Sequence, residues 1–443
     1  MELFISKWRA SVPTLGVGLA LLISVFFLIA VSSSNRIFPN TDEWGYIYAF
    51  SSPASLFSYL FEQHNDHRIP LQKLLHLSLL YFGGFDFRSL VVVNMLLAGV
   101  TSVALMFAAK SYRGHWALGD LALPFLCMNF GFGMSLVGFE LQFLSSVLFV
   151  SLFLLAIALS DGGGKAKQVN LAAFWLMLLS WTGLNGVVVG AALAGAMLGY
   201  FALGRSDRRL EPSSRLALLI ALVMNVIQFA FWKPSGASQG MAPLHQIIDY
   251  FYGLYTSAYP VFAHVHATYV ALFILALLLI GVPLGLKQLI KKGDTLTTFM
   301  LLAAVASTFL LMASVAYGRA QVSAWAPSTD MHYGILTVVI PAALWMVVSK
   351  LGGKIVSGVV GIAFLAISVS AFMFSAEWRL SYVGQSGPQF RSAQLAIASS
   401  QDAKAVTDTH MAAFYYSDNP EIRTFVADGI RTLRQLGGWE YKP

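Results

Sequence analysis

Acidic side chains that could take part in proton transfer lie near the amino end of the sequence. Asp42 and Glu43 are adjacent, and the later run from Glu62 to Pro70 contains Asp66. A carboxylate can accept the proton of a reacting hydroxyl group, or hold a cation at the mouth of a cavity. Asp42 or Glu43 is therefore the first candidate for a general base. Asp66 is the second candidate, because its histidine and arginine neighbours would keep it ionised.

The basic neighbours of Asp66 suit an anionic ligand. His64, His67 and Arg68 can donate hydrogen bonds to a phosphate, and an arginine can do so in bidentate geometry. Two histidines three positions apart could also bind a metal ion, but no HExxH motif and no second cysteine beside Cys127 accompany them. Phosphate is therefore the favoured ligand, and a divalent cation is the open alternative.

Four polar residues at the ends of apolar stretches are candidates for substrate binding. Glu140 and Gln142 stand where exposure to lipid would be costly, so we expect them to face the interior of a helix bundle. Asn185 precedes Gly186 between two apolar stretches, and Tyr333 stands at the start of another. The alternatives are an interfacial charge for Glu140 and a local turn signal for Asn185.

Arg319 and His332 lie at the two ends of the last connection between apolar stretches on the side of the membrane where the other candidates are expected. An arginine held near the membrane surface can bind a lipid phosphate, so Arg319 is a candidate for phosphate binding, with His332 as its helper. The alternative is that Arg319 extends to a lipid headgroup without a catalytic role.

Composition indicates that lipid surrounds these candidate residues. Of 443 residues, 57% are hydrophobic and 11% are charged, and the mean hydropathy is +0.69. The sequence predicts an all-α polytopic membrane protein, because its apolar stretches are long enough to cross a hydrocarbon core of about 30 Å as helices. About eleven spans are predicted, at 12–31, 88–109, 118–138, 140–160, 169–182, 186–203, 216–232, 267–286, 296–316, 331–349 and 355–374.

The basic residues predict the orientation of these spans. With a cytoplasmic amino terminus, the inside connections carry fifteen of the 28 lysines and arginines, although the outside connections are longer. This asymmetry predicts an outside carboxyl terminus, and it explains the net charge of +7 without a nucleic-acid partner. The candidate residues then share the outside face.

Three long segments are expected on that face: 32–87, 233–266 and 375–443. The first should contain short interfacial helices near 52–61 and 69–82, and the second is rich in aromatic residues. Residues 375–443 form a polar tail with helical stretches near 388–400 and 419–436. This tail is too small for a large core of its own, so we expect it to pack on the outside loops.

Several short motifs, distributed over most of the chain, resemble those of the bacterial polytopic glycosyltransferases of the GT-C superfamily. The motifs are Asp42-Glu43-Trp44, Gln63-His-Asn-Asp-His-Arg-Ile69, Gly138-Phe-Glu-Leu-Gln-Phe143, Asn185-Gly186 and Gly318-Arg319. The sequence departs from the expected Ser-Arg-Tyr before the tenth span, where it reads Asp330-Met331-His332-Tyr333.

The resemblance implies a GT-C-like membrane domain over 1–374, followed by a periplasmic segment over 375–443, in the bacterial inner membrane. It implies that a sugar on a polyprenyl phosphate is transferred, with inversion, to a cell-envelope glycan or a lipid-linked acceptor. Asp42 would be the base, and Arg319 would stabilise the leaving phosphate. Partners would be membrane lipid, the donor, the acceptor and small membrane proteins that supply the donor; no cofactor is firmly implied.

Two other classes of protein remain alternatives. A transporter or flippase for lipid-linked glycans would also need a basic groove, but it predicts deeply placed ionisable residues and broken helices in matching halves. The sequence has few deep charges and no evident inverted repeat. An O-antigen-type polymerase or ligase would also act outside, and phosphate binding alone would explain Arg319 and Arg68 equally well.

Overall fold

The computed structural model describes residues 2–34, 37–50, 53–65, 67–160, 166–203, 210–233, 242–291, 296–321, 331–399 and 401–437. Over these residues the chain is helical and contains no strand, apart from a single bridge between His64 and His67. Nine helical segments within the described part are long and apolar enough to cross a membrane. These lengths and compositions are those of a multi-pass membrane protein, in which each helix satisfies its own backbone hydrogen bonds.

The nine segments are formed by α1 (Glu2–Ser34), α5 (Arg88–Arg113), α7 (Leu141–Ala158), α9 (Leu184–Ala202), α10 (Pro212–Ala230), α12 (Pro260–Ile290), α13 (Leu296–Arg319), the consecutive α14 (Met331–Thr337) and α15 (Val339–Leu351), and α16 (Gly353–Ala398). The shorter helices are α2 (Trp44–Ala49), α3 (Pro53–Phe61), α4 (Pro70–Phe82), α6 (Ala122–Cys127), α8 (Ala166–Leu179), α11 (Leu244–Thr256), α17 (Ala403–Phe414) and α18 (Pro420–Leu436). Nine of the eleven predicted spans thus correspond to long apolar helices.

The predicted span at 118–138 is a broken segment rather than one helix. After α6 the backbone leaves helical geometry and passes through short 3-10 turns at Gly133–Ser135 and Gly138–Glu140. Its polar groups are satisfied from nearby: Ser135 donates to the carbonyl of Phe130 (2.6 Å), and Asn94 of α5 donates to that of Gly138 (3.1 Å). The sequence pattern did not predict these breaks because the segment is mostly apolar.

This broken segment runs antiparallel to α5. At one end Arg113 of α5 forms an ion pair with Asp120 (2.5 Å), and at the other Asn94 binds the 133–138 turns. The axial rise of α5 between Asn94 and Arg113 is about 28 Å. The predicted span at 169–182 is also short: it is the 14-residue α8, which packs between α7 and α10.

The carboxyl-terminal helices pack on the first long loop, as the sequence predicts. α16 continues through residue 375 without a break, so one helix joins the membrane bundle to the polar tail. The end of α16, α17 and α18 share a second hydrophobic core with α2 and α4, whose central side chains are Phe38, Trp44 and Phe414. This core lies directly beside the 3-10 turn that carries Asp42.

Candidate functional site

Asp42 occupies the 3-10 turn Thr41–Glu43, which leads directly into α2. One carboxylate oxygen, Oδ1, accepts a hydrogen bond from the Tyr415 hydroxyl (3.1 Å). The other, Oδ2, lies 3.4 Å from Nε2 of His64. The Asp42 side chain is 30% exposed, so a ligand can reach this carboxylate.

The surroundings of Asp42 keep its carboxyl group ionised. Partial burial raises the pKa, but the hydrogen bond and charge of His64, the hydrogen bond from Tyr415 and the charge of His332 together outweigh it. The pKa therefore lies below its ordinary value of 3.8. At neutral pH the group is a carboxylate that can accept a proton or bind a cationic centre.

Glu43 has a different environment from its neighbour. Its side chain is fully buried, and its two oxygens accept hydrogen bonds from the backbone N–H groups of Asn40 (2.9 Å) and Gly138 (2.6 Å). These bonds join the first loop to the turn that precedes α7. Of the two adjacent carboxylates, Asp42 is the one that a ligand can reach.

His64 and His67 are brought together by a tight reversal of the backbone. Each donates its N–H to the carbonyl of the other (2.8 Å in both directions), and Asn65 adopts φ +48° in the left-handed region that asparagine tolerates. Asp66, the second candidate base, lies outside the described residues. The reversal directs His64 towards Asp42 and His67 towards the start of α9.

Gly183 allows His67 to approach the backbone that precedes α9. Nδ1 of His67 accepts a hydrogen bond from the N–H of Leu184 (3.3 Å), so a neutral His67 carries its proton on Nε2. Gly183 has φ +91°, and a Cβ atom there would lie 3.0 Å from this Nδ1 and 3.3 Å from Oε1 of Gln142. The positive φ and this close approach both favour glycine at position 183.

Gln142 and Asn185 lie beside His67 as buried polar groups. Gln142 belongs to the first turn of α7 and Asn185 to the first turn of α9, with exposed fractions of 4% and 2%. Within the described part of the chain, Oε1 of Gln142 and Nδ2 of Asn185 have no hydrogen-bond partner. Buried amides of this kind are available to the hydroxyl groups of a polar ligand.

His332 reaches the same region from the start of α14. Its ring lies 5.3 Å from that of Phe143 and 4.2 Å from that of Tyr333, which is buried. The charge of His332 contributes to the lowering of the pKa of Asp42. His64 thus contacts this carboxylate directly, and His332, from a distant part of the sequence, acts on it through its charge.

The remaining predicted residues have separate positions. Arg68 is half-buried and lines a small cavity with the ends of α9 and α10, including Trp232. Glu140 is half-buried just before α7. Arg319 is the half-buried last residue of α13, and residues 322–330, which lead to α14, lie outside the described part. Phosphate binding by Arg319 stays a prediction.

Tyr415 is a site residue that the sequence did not indicate. It follows α17 in the polar tail, 373 positions from Asp42. Two neighbouring contacts fix its place: Asn40 donates to the carbonyl of Ala413 (2.9 Å), and Trp44 to that of Phe414 (3.3 Å). Three side chains of the first loop thus hold three consecutive residues of the tail.

A buried network of polar side chains joins the helices of the first long loop, α2, α3 and α4. The Tyr46 hydroxyl accepts a hydrogen bond from Gln72 (2.8 Å) and lies 2.9 Å from Nδ1 of His76. Lys73 donates to the carbonyls of Tyr59 and Glu62 at the end of α3 (2.6 and 2.8 Å). Burial lowers the pKa of Lys73 to about 8 and that of His76 to about 3. This network fixes α3 and α4 beneath the turn of Asp42.

Among the described residues, no group of three or more His, Cys, Asp or Glu side chains has the arrangement of a metal site. The cluster around Asp42 combines one accessible carboxylate with two imidazoles, which is an arrangement for proton transfer and for binding an anion beside it. No family model matches the chain, and comparisons with curated proteins and with solved structures gave no match.

Proposed function

We propose that this protein is a GT-C-type glycosyltransferase that moves a sugar from a polyprenyl phosphate to a cell-envelope glycan or a lipid-linked acceptor. The observation that carries the proposal is the accessible Asp42 carboxylate in contact with His64, at one end of an apolar helix bundle, with His332 close enough for its charge to act on Asp42. This arrangement supplies a proton acceptor and imidazoles that can donate hydrogen bonds to a phosphate.

The proposed topology has eleven crossings, with the amino terminus in the cytoplasm and Asp42 on the periplasmic side of the bacterial inner membrane. Besides the nine long helices, the broken 118–140 segment and α8 complete the count. The antiparallel course of 118–140 along α5 supports the first of these, and the turn after α8 meets His67 on the Asp42 side. The basic inside connections support the orientation.

In the proposed reaction Asp42 accepts the proton of the acceptor hydroxyl as the hydroxyl oxygen attacks the anomeric carbon. The bond from that carbon to the phosphate oxygen breaks, and its electron pair leaves with the lipid phosphate, so the configuration inverts. His64 and His332, when protonated, stabilise the negative charge that develops on the phosphate. Arg319, Arg68 and His67 are further proposed contacts of the donor, and Gln142 and Asn185 of the sugars.

An apolar cavity suits the lipid chain of such a donor. It has a volume of about 550 Å³ and lies between α11, α12 and α13, with Phe251, Leu275 and Phe309 in its wall. The helix that carries His332, α14, adjoins α11, where Thr337 and Ser257 lie 3.4 Å apart. α14 thus contacts a helix that lines the cavity and also carries His332, which supports a donor that extends from the cavity towards the Asp42 cluster.

The direct test is sugar transfer by purified protein in nanodiscs, with polyprenyl-phosphate-linked labelled sugars and envelope glycolipids as substrates and mass spectrometry of the acceptor as the readout. Asp42→Asn should lower the rate by about 10²- to 10⁴-fold, the usual contribution of a general base. The exposed Glu421→Gln in the tail is the matched control and should be active. Full activity of Asp42→Asn, or movement of unmodified glycolipid between leaflets, would exclude the proposal.

A further inference from the structure

A third cavity, of about 710 Å³, lies at the opposite end of the bundle from Asp42. It is bounded by α1, by the loop at 115–119, and by the turn between α15 and α16. α15 follows α14, whose His332 acts on Asp42 through its charge, and ends at Leu351, next to the cavity residues Lys350 and Gly353. The cavity and the Asp42 cluster therefore lie at opposite ends of the helix bundle, and so on opposite sides of the membrane.

The wall of this cavity is divided into a polar and an apolar part. Around the α15–α16 turn it is formed by Ser349, Lys350, Lys354 and Ser357. The rest of the wall is mostly aromatic and aliphatic and includes Val12, Trp116, Trp345 and Ile362, with His115 also in the lining. None of the lining residues in the described part of the chain is acidic.

Nearby contacts give the polar part a fixed shape. The Lys350 ammonium lies 4.0 Å from the centre of the Tyr112 ring, which holds it in place by a cation–π interaction. Arg113 donates to Ser349 (2.7 Å) and pairs with the buried Asp120, so it holds this lining serine in place without adding net charge. Lys354 is exposed in the first turn of α16, where backbone N–H groups also attract anions.

The cavity is deep enough for a chain as well as a headgroup. From Gly353 to Ile362 the axis of α16 rises by about 14 Å, from the polar end into the apolar part of the helix. A Cβ atom at Gly358 would meet no heavy atom within 4 Å, whereas one at Gly361 would lie 2.8 Å from the Trp345 ring. Gly358 therefore borders open space, and Gly361 packs against the wall.

We propose that this cavity binds an anionic phospholipid from the leaflet opposite to Asp42. Lys350 and Lys354 hold the headgroup phosphate, and an acyl chain follows the surface of α16 past Gly358. The cationic rim matches the phosphate, and the apolar depth matches a chain that a soluble anion lacks. The site is separate from the Asp42 cluster and does not depend on the proposed transferase activity.

The test is retention of lipid by the full-length protein, released from nanodiscs of phosphatidylcholine and phosphatidylglycerol and analysed by native mass spectrometry. The native protein should retain one phosphatidylglycerol in preference to phosphatidylcholine. In the double variant Lys350→Gln, Lys354→Gln, the ratio of retained phosphatidylglycerol to phosphatidylcholine should be at least tenfold lower. Lys291→Gln, an exposed lysine at the end of α12, is the matched control and should keep it. Equal preference in the native protein and the double variant would overturn the proposal.

A second variant tests the apolar part without removing a charge. Gly358→Leu places a side chain in the open space of the cavity and should abolish lipid retention, whereas Gly384→Leu, on the same helix with nothing within 4 Å, should leave it unchanged. Thermal stabilisation by short-chain phosphatidylglycerol, but not by glycerol phosphate or inorganic phosphate, is expected. Equal stabilisation by inorganic phosphate, or undiminished retention by Gly358→Leu, would assign the cavity to a soluble anion or to no ligand and overturn the proposal.

Discussion

The adjacent carboxylates Asp42 and Glu43 should respond in opposite ways to removal of their charge. Glu43 is buried and accepts hydrogen bonds from two backbone N–H groups, those of Asn40 and Gly138. In Glu43→Gln, one of these N–H groups faces the new amide nitrogen, which cannot accept a hydrogen bond. Glu43→Gln should therefore impair stability, whereas Asp42→Asn should impair sugar transfer.

The expected magnitudes separate the two variants. Loss of a hydrogen bond to a charged group costs about 1.5–3 kcal/mol, and a buried donor left unsatisfied costs about 1–3 kcal/mol. Both figures describe the same lost interaction, so Glu43→Gln should destabilise the protein by roughly 2–3 kcal/mol. Asp42 is 30% exposed, so loss of its contact with His64 should cost about 1 kcal/mol or less.

The assay compares thermal unfolding midpoints in one detergent with transfer rates in nanodiscs, measured on the same preparations. Asp42→Asn should unfold close to the native midpoint and lose transfer. Glu43→Gln should unfold at a clearly lower temperature, and the fraction that stays folded should retain transfer. The reasoning is refuted if Glu43→Gln unfolds at the native midpoint but is inactive, because its carboxylate would then be needed for the reaction.

Two further substitutions test the contacts of the site. Tyr415→Phe removes a hydrogen bond that lowers the pKa of Asp42, so the pKa should rise and the acidic limb of the pH–rate profile should move to higher pH; an unchanged limb would show that this bond does not act on the base. Gly183→Ala and Gly114→Ala both place alanine at positive φ, at a cost of about 1–2 kcal/mol, but only the first brings a Cβ near His67. Gly183→Ala should therefore also lower the transfer rate, and equal rates for the two variants would contradict a role for His67.

The membrane helices could be predicted from the length of the apolar stretches. The exception has a specific cause in the contacts of its backbone. Nine predicted spans correspond to long helices because uninterrupted apolar stretches leave the backbone no partner in lipid except itself. The 118–138 stretch looks equally apolar, but Asn94 and Ser135 bind its carbonyl groups and allow it to leave helical geometry. A contact from an asparagine on another helix cannot be recognised in the apolar pattern of the segment that it binds.

The tail was predicted less accurately than the membrane bundle. The sequence predicts a separate helical stretch near 388–400, yet α16 continues through Pro388 to Ala398, and its last turns pack in the second hydrophobic core. α17 was not predicted, although its N-cap carries a recognisable signal: Asp402 accepts hydrogen bonds from the N–H groups of Lys404 and Ala405. Capping residues were therefore more informative here than polarity.

The candidate site depends on contacts between segments that no local pattern connects. Asp42 could be nominated from its position after the first span, but the preference for Asp42 over Glu43 follows from burial, which depends on Gly138, and its ionisation depends on Tyr415 and His332. The tail thus contributes to the acidic turn as well as covering it. Because residues 413–415 bind the same turn that presents Asp42, any displacement of α17 would change the position and the pKa of that carboxylate together. The tail is therefore part of the candidate site, and the chemistry of the first loop cannot be separated from the packing of the last two helices.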